Sequence, residues 1–165
     1  MVYTPTSPST VLNFQAADVP SVTAQFKRLS VDDQLGLLWF AYKEAGRSIT
    51  PAAPGAASLQ FATGLLQQIE AMSHEEQLGF MRDLVKKVNN PLTRAYGVLT
   101  NNTKLAFWYQ LAEMMVTGTV VPVPSGYQLS RQANQILAAI ERLDFSQQIN
   151  ILRNITCEMG YDPLA

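Results

Sequence analysis

The side chains most able to carry acid–base, metal or thiol chemistry are scarce in this sequence. It contains one histidine, His74, and one cysteine, Cys157. One residue of each type cannot assemble a Cys/His zinc site, and a single cysteine cannot close a disulfide within the chain. His74 stands at a helix start and Cys157 inside a helical repeat, where a solvated ring and a packed thiol are the expected interpretations. The sequence therefore predicts no metal site and no thiol-based catalysis.

Pairs of carboxylates are the next candidates for catalysis. Asp32-Asp33 and Glu75-Glu76 both stand near predicted helix starts, where negative charge interacts favourably with the helix dipole. No two of the nine glycines are close enough to form a GxGxxG, P-loop or GxSxG motif. Helix formation explains the acidic pairs, and the fingerprints of nucleotide-binding and hydrolase sites are absent from the sequence. We therefore expect a protein that is not an enzyme.

Large apolar residues form the most distinctive pattern. Two segments carry bulky rings in the middle of a helical spacing of i, i+3, i+4 and i+7. These stripes are Leu35, Leu38, Trp39 and Tyr42 in the first segment, and Leu105, Trp108, Tyr109 and Ala112 in the second. Other apolar residues occupy the remaining sides, and such a helix must be covered on two sides, by helices or by a ligand. Either both stripes are core, or they form opposing walls of an apolar site, with adaptable methionines nearby.

Helix signals dominate the chain after its first seventeen residues, which are rich in Thr, Ser and Pro and predict an irregular arm. Residues 18–165 predict a single helical domain of about eight helices, because strand alternation is nearly absent. Asn101 or Asn102 is expected to begin the helix that bears the second stripe, and Gly118 to end it. The following loop, 119–129, contains Val-Pro-Val-Pro and should be extended and stiff.

Composition and charge restrict the class of protein further. The 165 residues suffice for one domain of ordinary size. Charged residues make up 15% and the net charge is −1, so the chain presents no electrostatic field for nucleic acid or an anionic membrane. The start of the chain lacks the basic and apolar regions of a signal peptide, and the uncharged segment 48–69 is too polar to span a bilayer. We expect a cytoplasmic protein with at most peripheral membrane association.

Several passages, in order along nearly the whole chain, match a known family. They are Asp33-Gln34-Leu35 through Trp39-Phe40-Ala41-Tyr42, Ala52 to Ser58, Phe107-Trp108-Tyr109, Pro122 to Ser130, and Leu152-Arg153-Asn154. With these residues the chain resembles the amino-terminal carotenoid-binding domain of the orange carotenoid proteins, specifically the stand-alone helical carotenoid proteins of cyanobacteria. The resemblance implies an all-α fold of two interleaved four-helix bundles with a carotenoid tunnel between them.

The resemblance also implies the ligand and the residues around it. The ligand would be a keto-carotenoid of the canthaxanthin, echinenone or 3'-hydroxyechinenone type, and a chloride ion would occupy a secondary site. Trp39 and Trp108 would lie against the polyene or its end ring. By matching position, the tunnel lining would be Leu35, Leu38, Trp39, Tyr42, Met81, Leu105, Trp108, Tyr109, Met115, Val123 and Tyr127. Both aromatic stripes would then serve as ligand walls.

A photoprotective function is implied by the same resemblance. In the family, a bound carotenoid takes up energy from singlet oxygen or from excited phycobilisome pigments and releases it as heat. Arg153 matches an arginine that contacts the family's carboxy-terminal domain in the resting form and the phycobilisome in the active form. The family's arginines in the arm and first helix are replaced by Ser7 and Gln25. Because this weakens docking to the antenna, we rank singlet-oxygen quenching above phycobilisome quenching.

A function of another class stays open at this point. The chain could instead be a carotenoid carrier, or a helical interaction module, that partners a separate homologue of the family's carboxy-terminal domain. Pigment content after co-expression with a carotenoid pathway discriminates between these, since an interaction module would be colourless. For a quenching protein we expect a location in the cytoplasm, at the surface of the phycobilisome or thylakoid.

Overall fold

A computed structural model describes residues 19–45 and 59–164, and the regular structure in these ranges is entirely helical. The helices are α1 (Val19–Lys27), α2 (Val31–Ala45), α3 (Leu59–Glu70), α4 (His74–Lys86), α5 (Pro91–Gly97), α6 (Asn101–Thr117), α7 (Arg131–Glu141) and α8 (Phe145–Cys157). The all-α prediction is confirmed. The predicted arm 1–17, its boundary at residue 18 and the matching passage 52–58 lie outside the described residues.

Short polar residues set the helix starts. At α4, Ser73 Oγ accepts a hydrogen bond from the Glu76 amide at 3.1 Å, and Glu76 Oε1 accepts one from the Ser73 amide at 3.1 Å, which is a capping box. At α6 the expectation of an asparagine cap at 101–102 is wrong. The cap is Thr100, whose hydroxyl accepts from the Thr103 amide at 3.2 Å, because Thr100 holds the extended backbone that a cap requires while the asparagines already lie in the first helical turn.

The helices sort into two groups of four that are interleaved along the chain. The first and last pairs, α1, α2, α7 and α8, pack on one another, while α3 packs on α5 and α6, and α4 packs on α5. Helices α2 and α8 join the groups, because α2 contacts α4 and α6, and α8 contacts α6. Both helices that are apolar on nearly all sides are thus covered twice, α2 by α4 and α7, and α6 by α3 and α8.

Two further findings concern the described ranges only. Every helix there is too short or too polar to traverse a lipid bilayer. The side chains of these ranges also bring no three His, Cys, Asp or Glu residues together in a way that could hold a metal ion.

Candidate functional site

The structure places the eleven candidate lining residues on four elements that face one another. Four lie on α2, one on α4, four on α6 and two in the loop between α6 and α7. In that order they are Leu35, Leu38, Trp39 and Tyr42, then Met81, then Leu105, Trp108, Tyr109 and Met115, and finally Val123 and Tyr127. Direct packing of α2 on both α4 and α6 brings the helical members to one region of the molecule.

Burial separates these residues into two sets. Leu38, Met81 and Trp108 are 8%, 3% and 8% exposed and belong to the core. The other eight keep an intermediate exposure, so the chain leaves part of each side chain uncovered. Apolar surface left in contact with water is unfavourable. Within the described part of the chain, these eight side chains therefore keep apolar surface that is not buried.

The two stripes meet directly through their rings. On α2, the Trp39 and Tyr42 rings lie with their centroids 5.8 Å apart. The Tyr42 ring in turn meets the Tyr109 ring of α6 edge to face, at 5.4 Å between centroids and 77° between planes. This is a favourable aromatic geometry. The two aromatic helices thus lie side by side at this point.

The Glu113 carboxylate lies beside Tyr42 and Tyr109, and it was not among the candidate residues. Glu113 follows Tyr109 by one helical turn on α6. Burial and then a hydrogen bond to the Glu113 carboxylate raise the pKa of Tyr42, and the same causes raise the pKa of Tyr109. The Glu113 carboxylate thus acts on both phenols. The i, i+4 spacing of Tyr109 and Glu113 was the available signal.

Trp108 belongs to a second aromatic group, which is more deeply buried. Its ring meets the Phe107 ring at 6.2 Å and 89°. Phe107 in turn contacts the Tyr96 ring at 5.3 Å and the Phe80 ring at 6.4 Å. The indole Nε1–H of Trp108 donates a hydrogen bond to the Tyr96 hydroxyl at 3.0 Å. Tyr96 was not a candidate, because nothing in its local sequence indicates a partner twelve residues away.

The loop residue Tyr127 is held against α2. Its hydroxyl donates to Asp33 Oδ1 at 2.9 Å, and the Ser130 amide donates to Asp33 Oδ2 at 3.3 Å. Burial, followed by this hydrogen bond, raises the pKa of Tyr127 to about 12. The interpretation of Asp33 as only a helix-start residue is therefore incomplete. This carboxylate is buried and joins α2 to the loop and to the cap of α7.

The other end of the same loop is held by a glutamine on α4. Gln77 is fully buried; its Nε2 donates to the Ile69 and Thr119 carbonyls, each at 3.0 Å. Its Oε1 accepts from the Val121 amide at 2.8 Å. Val123 lies between the two anchored ends and is half-buried. The expected stiffness of the loop thus has a physical basis beyond its two prolines.

Arg153, the candidate partner-binding residue, lies on α8. It is half-buried, and its Nη1 lies 3.5 Å from Asn150 Oδ1. Its Nε is buried and lacks a hydrogen-bond partner within the described part of the chain. A buried guanidinium nitrogen without a partner is uncommon in folded proteins.

Comparison with known proteins identifies the family. A family model described as "Orange carotenoid protein, N-terminal" matches residues 13–162. The chain belongs to this family. An orange carotenoid-binding domain-containing protein of Nostoc sp. (strain PCC 7120) is 56% identical over 170 aligned positions, which cover 100% of this chain and 99% of that protein. The orange carotenoid-binding protein of Synechocystis sp. is 49% identical over 90% of this chain and 47% of its own length, so the chain spans about half of that relative.

Solved structures of this orange carotenoid protein family share the fold. The orange carotenoid protein of Anabaena (Nostoc) sp., described as binding canthaxanthin, is 50% identical and superposes with a TM-score of 0.83 over 90% of this chain and 48% of its own. The red carotenoid protein of the same organism, also described as binding canthaxanthin, is 40% identical with a TM-score of 0.79, over 87% of this chain and 99% of its own. The family resemblance seen in the sequence is confirmed.

Proposed function

We propose that this chain binds one keto-carotenoid along the facing stripes of α2 and α6, within a lining formed by the eleven candidate residues. The observation that carries the proposal is that two solved relatives, 50% and 40% identical, are described as binding canthaxanthin. The chain's own side chains fit such a ligand, since eight of the eleven are apolar or aromatic groups that the chain leaves half-covered. The chloride site stays a prediction.

Burial alone suffices to hold a ligand of this kind. At about 0.8 kcal/mol per buried CH₂ equivalent, a forty-carbon chain exceeds the practical affinity limit of about 20 kcal/mol. Polar groups are therefore needed only to set the position and orientation of the ligand. The rings of Trp39, Tyr42 and Tyr109 supply flat polarisable surfaces. Such surfaces restrict twisting of a polyene and shift its absorption to the red.

Photoprotection follows from this binding mode. The carotenoid, when bound, would accept energy from singlet oxygen or phycobilisome pigments and release it as heat. The protein's residues exclude water and fix the ligand's shape, and no bond-making side chain is required. Gln25 lies on α1 where the family carries an arginine, so docking to a phycobilisome has one cation fewer. We therefore place singlet-oxygen quenching first, in the cytoplasm near the thylakoid.

Co-expression with a carotenoid pathway tests the binding proposal. The purified chain should be coloured, and chromatography of its extract should give a keto-carotenoid. Leu105→Ala, which removes half-buried lining surface, should lower the pigment content. Val98→Ala, at a 60% exposed valine, should not. A colourless wild-type protein would refute carotenoid binding.

Quenching assays test the ranking of the two energy donors. The coloured protein should shorten the lifetime of singlet oxygen phosphorescence relative to the colourless protein at equal concentration. Isolated phycobilisomes should keep most of their fluorescence when the coloured protein is added. Strong quenching of that fluorescence would reverse the ranking.

Pigment delivery is the second candidate function. It is supported by Arg153, whose buried Nε has no hydrogen-bond partner among the residues that the structure describes. Mixing the coloured protein with a separate carboxy-terminal domain of an orange carotenoid protein would transfer pigment if the chain is a carrier. Arg153→Ala should slow that transfer. Complex formation by a colourless chain would instead indicate an interaction module.

A further inference from the structure

The indole of Trp108 has its one polar group bound within the protein. The ring is 8% exposed, and its Nε1–H donates to the Tyr96 hydroxyl at 3.0 Å. An indole has a single N–H and no acceptor, so this bond uses its entire hydrogen-bonding capacity. A ligand beside Trp108 therefore meets the ring and finds no donor there.

Tyr96 can accept this bond because its own proton is committed elsewhere. Its hydroxyl donates to the Thr156 carbonyl near the end of α8. That carbonyl lies in the last turn of α8, where it also accepts from the Met159 amide at 3.3 Å. Burial raises the pKa of Tyr96 well above its usual value, so the hydroxyl keeps its proton. The two hydrogen bonds therefore run in one direction, from the Trp108 indole to the Tyr96 hydroxyl and from that hydroxyl to the Thr156 carbonyl.

The ring of Tyr96 is also held in place on several sides. Gly160 has a φ of +77°, and a Cβ there would lie 2.5 Å from Tyr96 Cδ1. The Phe107 ring meets the Tyr96 ring edge to face. Lys104 Nζ lies 5.5 Å from the ring centroid and donates to the Cys157 carbonyl at 3.0 Å. None of these residues is in the proposed lining, so Tyr96 is anchored independently of any ligand.

We infer that Tyr96 is a positioning residue for carotenoid binding, which sets the plane of the Trp108 indole and withholds its N–H from the oxygen of a keto end ring. This inference rests on the proposed function. Without the Tyr96 hydroxyl, the buried N–H would lack a protein acceptor, which is unfavourable. The indole N–H would then be free to turn toward the keto oxygen of a bound ligand.

Tyr96→Phe tests the inference, because it removes the hydroxyl and keeps the ring. The chain has two tryptophans, so a nitrogen–proton NMR spectrum contains two indole signals, and Trp39→Phe assigns them. In the colourless protein, Tyr96→Phe should move the Trp108 indole signal and leave that of Trp39 in place. In the coloured protein, the absorption maximum should shift, since the indole leaves its original plane and its N–H becomes free to donate to the conjugated keto oxygen.

Two control variants separate positioning from stability. Tyr161→Phe removes a hydroxyl from an exposed tyrosine near the end of α8 and should change neither spectrum. Ile151→Val trims a fully buried side chain on α8 and should lower the melting temperature without moving the absorption maximum. The inference is supported if the absorption maximum shifts more in Tyr96→Phe than in either control variant. If the indole signal of Tyr96→Phe moves but the absorption maximum does not, the inference is overturned. The proposal that the chain binds a carotenoid would still stand.

A double-variant comparison shows whether Tyr96 acts through the indole. In a Trp108→Phe background, Tyr96→Phe should cause no further absorption shift, and an additional shift would overturn the inference. If Tyr96→Phe does not fold, hydrogen exchange of the Trp108 indole N–H in the wild-type protein decides. Exchange should be slow with and without pigment, and fast exchange in the coloured protein would overturn the inference. A wild-type chain that takes up no pigment would refute the proposed function instead.

Discussion

Gly36 determines how closely Tyr127 can approach α2. A Cβ at this position would lie 2.8 Å from Tyr127 Cε1 and 3.1 Å from Leu129 Cδ2. The ring cannot retreat freely, because its hydroxyl is bonded to Asp33 on the same helix. Glycine inside a helix costs about 0.5–1 kcal/mol relative to alanine. Its presence in α2 is explained by the ring that it admits.

Gly36→Ala should therefore destabilise the protein despite its gain in helix propensity. Overpacking typically costs about 1–3 kcal/mol, which outweighs the propensity term and leaves a net loss of about 1 kcal/mol. Gly64→Ala is the matched control, since nothing lies within 4 Å of a Cβ on this α3 glycine. Gly64→Ala should be more stable than the wild type. Urea unfolding of both variants measures the difference, and a stabilised Gly36→Ala would contradict the close contact.

The Tyr127 hydroxyl also predicts a dependence of stability on pH. Its pKa is raised from 10.0 to about 12 by burial and by the bond to Asp33. Between these values the unfolded chain releases a proton that the folded chain retains, so stability falls as pH rises. The contribution is fully present below pH 10 and is lost toward pH 12. In Tyr127→Phe, the free energy of unfolding should fall less steeply between pH 10 and 12 than in the wild type. Equal slopes for the two proteins would argue against the hydrogen bond between Tyr127 and Asp33.

At the scale of elements, the loop between α6 and α7 depends on side chains from other helices. Gln77 on α4 holds its first residues and Asp33 on α2 holds its last. Both anchors are buried and polar, so each is satisfied only when the loop is in place. The loop is therefore part of the framework, although it contains no helix of its own.

Gln77→Leu should release the start of this loop. The substitution leaves the part-buried Thr119 carbonyl and Val121 amide and the buried Ile69 carbonyl without this partner, at a cost of about 1–3 kcal/mol for a group that stays unsatisfied. We expect a loss of stability of about 2–4 kcal/mol and faster amide exchange across the loop. Gln68→Leu, at an exposed position on α3, serves as the control. Unchanged exchange in the loop would show that its two prolines suffice to order it.

Sequence periodicity could predict the helices and the aromatic stripes, because both arise from neighbours within a few residues along the chain. It could also predict the cap at Ser73, whose partner is three residues away. The anchors could not be predicted in this way. Asp33 and Tyr127 are 94 residues apart, and Tyr96 and Thr156 are 60 apart. A side chain's distant partner depends on packing between helices, and the local pattern around Asp33 already had a sufficient explanation in the helix start.

At the scale of the whole molecule, the proposed lining joins both groups of helices. The stripe on α2 belongs to the group formed by the ends of the chain, and the stripe on α6 belongs to the group formed by its middle. An exposed ion pair, Arg82 to Asp32 at 2.9 Å, also joins the groups, but exposed pairs contribute little to stability. An apolar ligand lying between the stripes would join them far more strongly.

Pigment binding should therefore protect both groups together. A ligand that binds only the folded state stabilises it by about 2.7 kcal/mol at one hundred times its dissociation constant. Comparison of coloured and colourless protein by hydrogen exchange should show slower exchange in α2 of one group and in α4 and α6 of the other. Leu105→Ala should reduce the protection in both groups, because the lost contact weakens a ligand shared by both, whereas Val98→Ala, at an exposed position, should not. Protection confined to one group would mean that the ligand lies on that group alone and that the facing stripes serve as ordinary core.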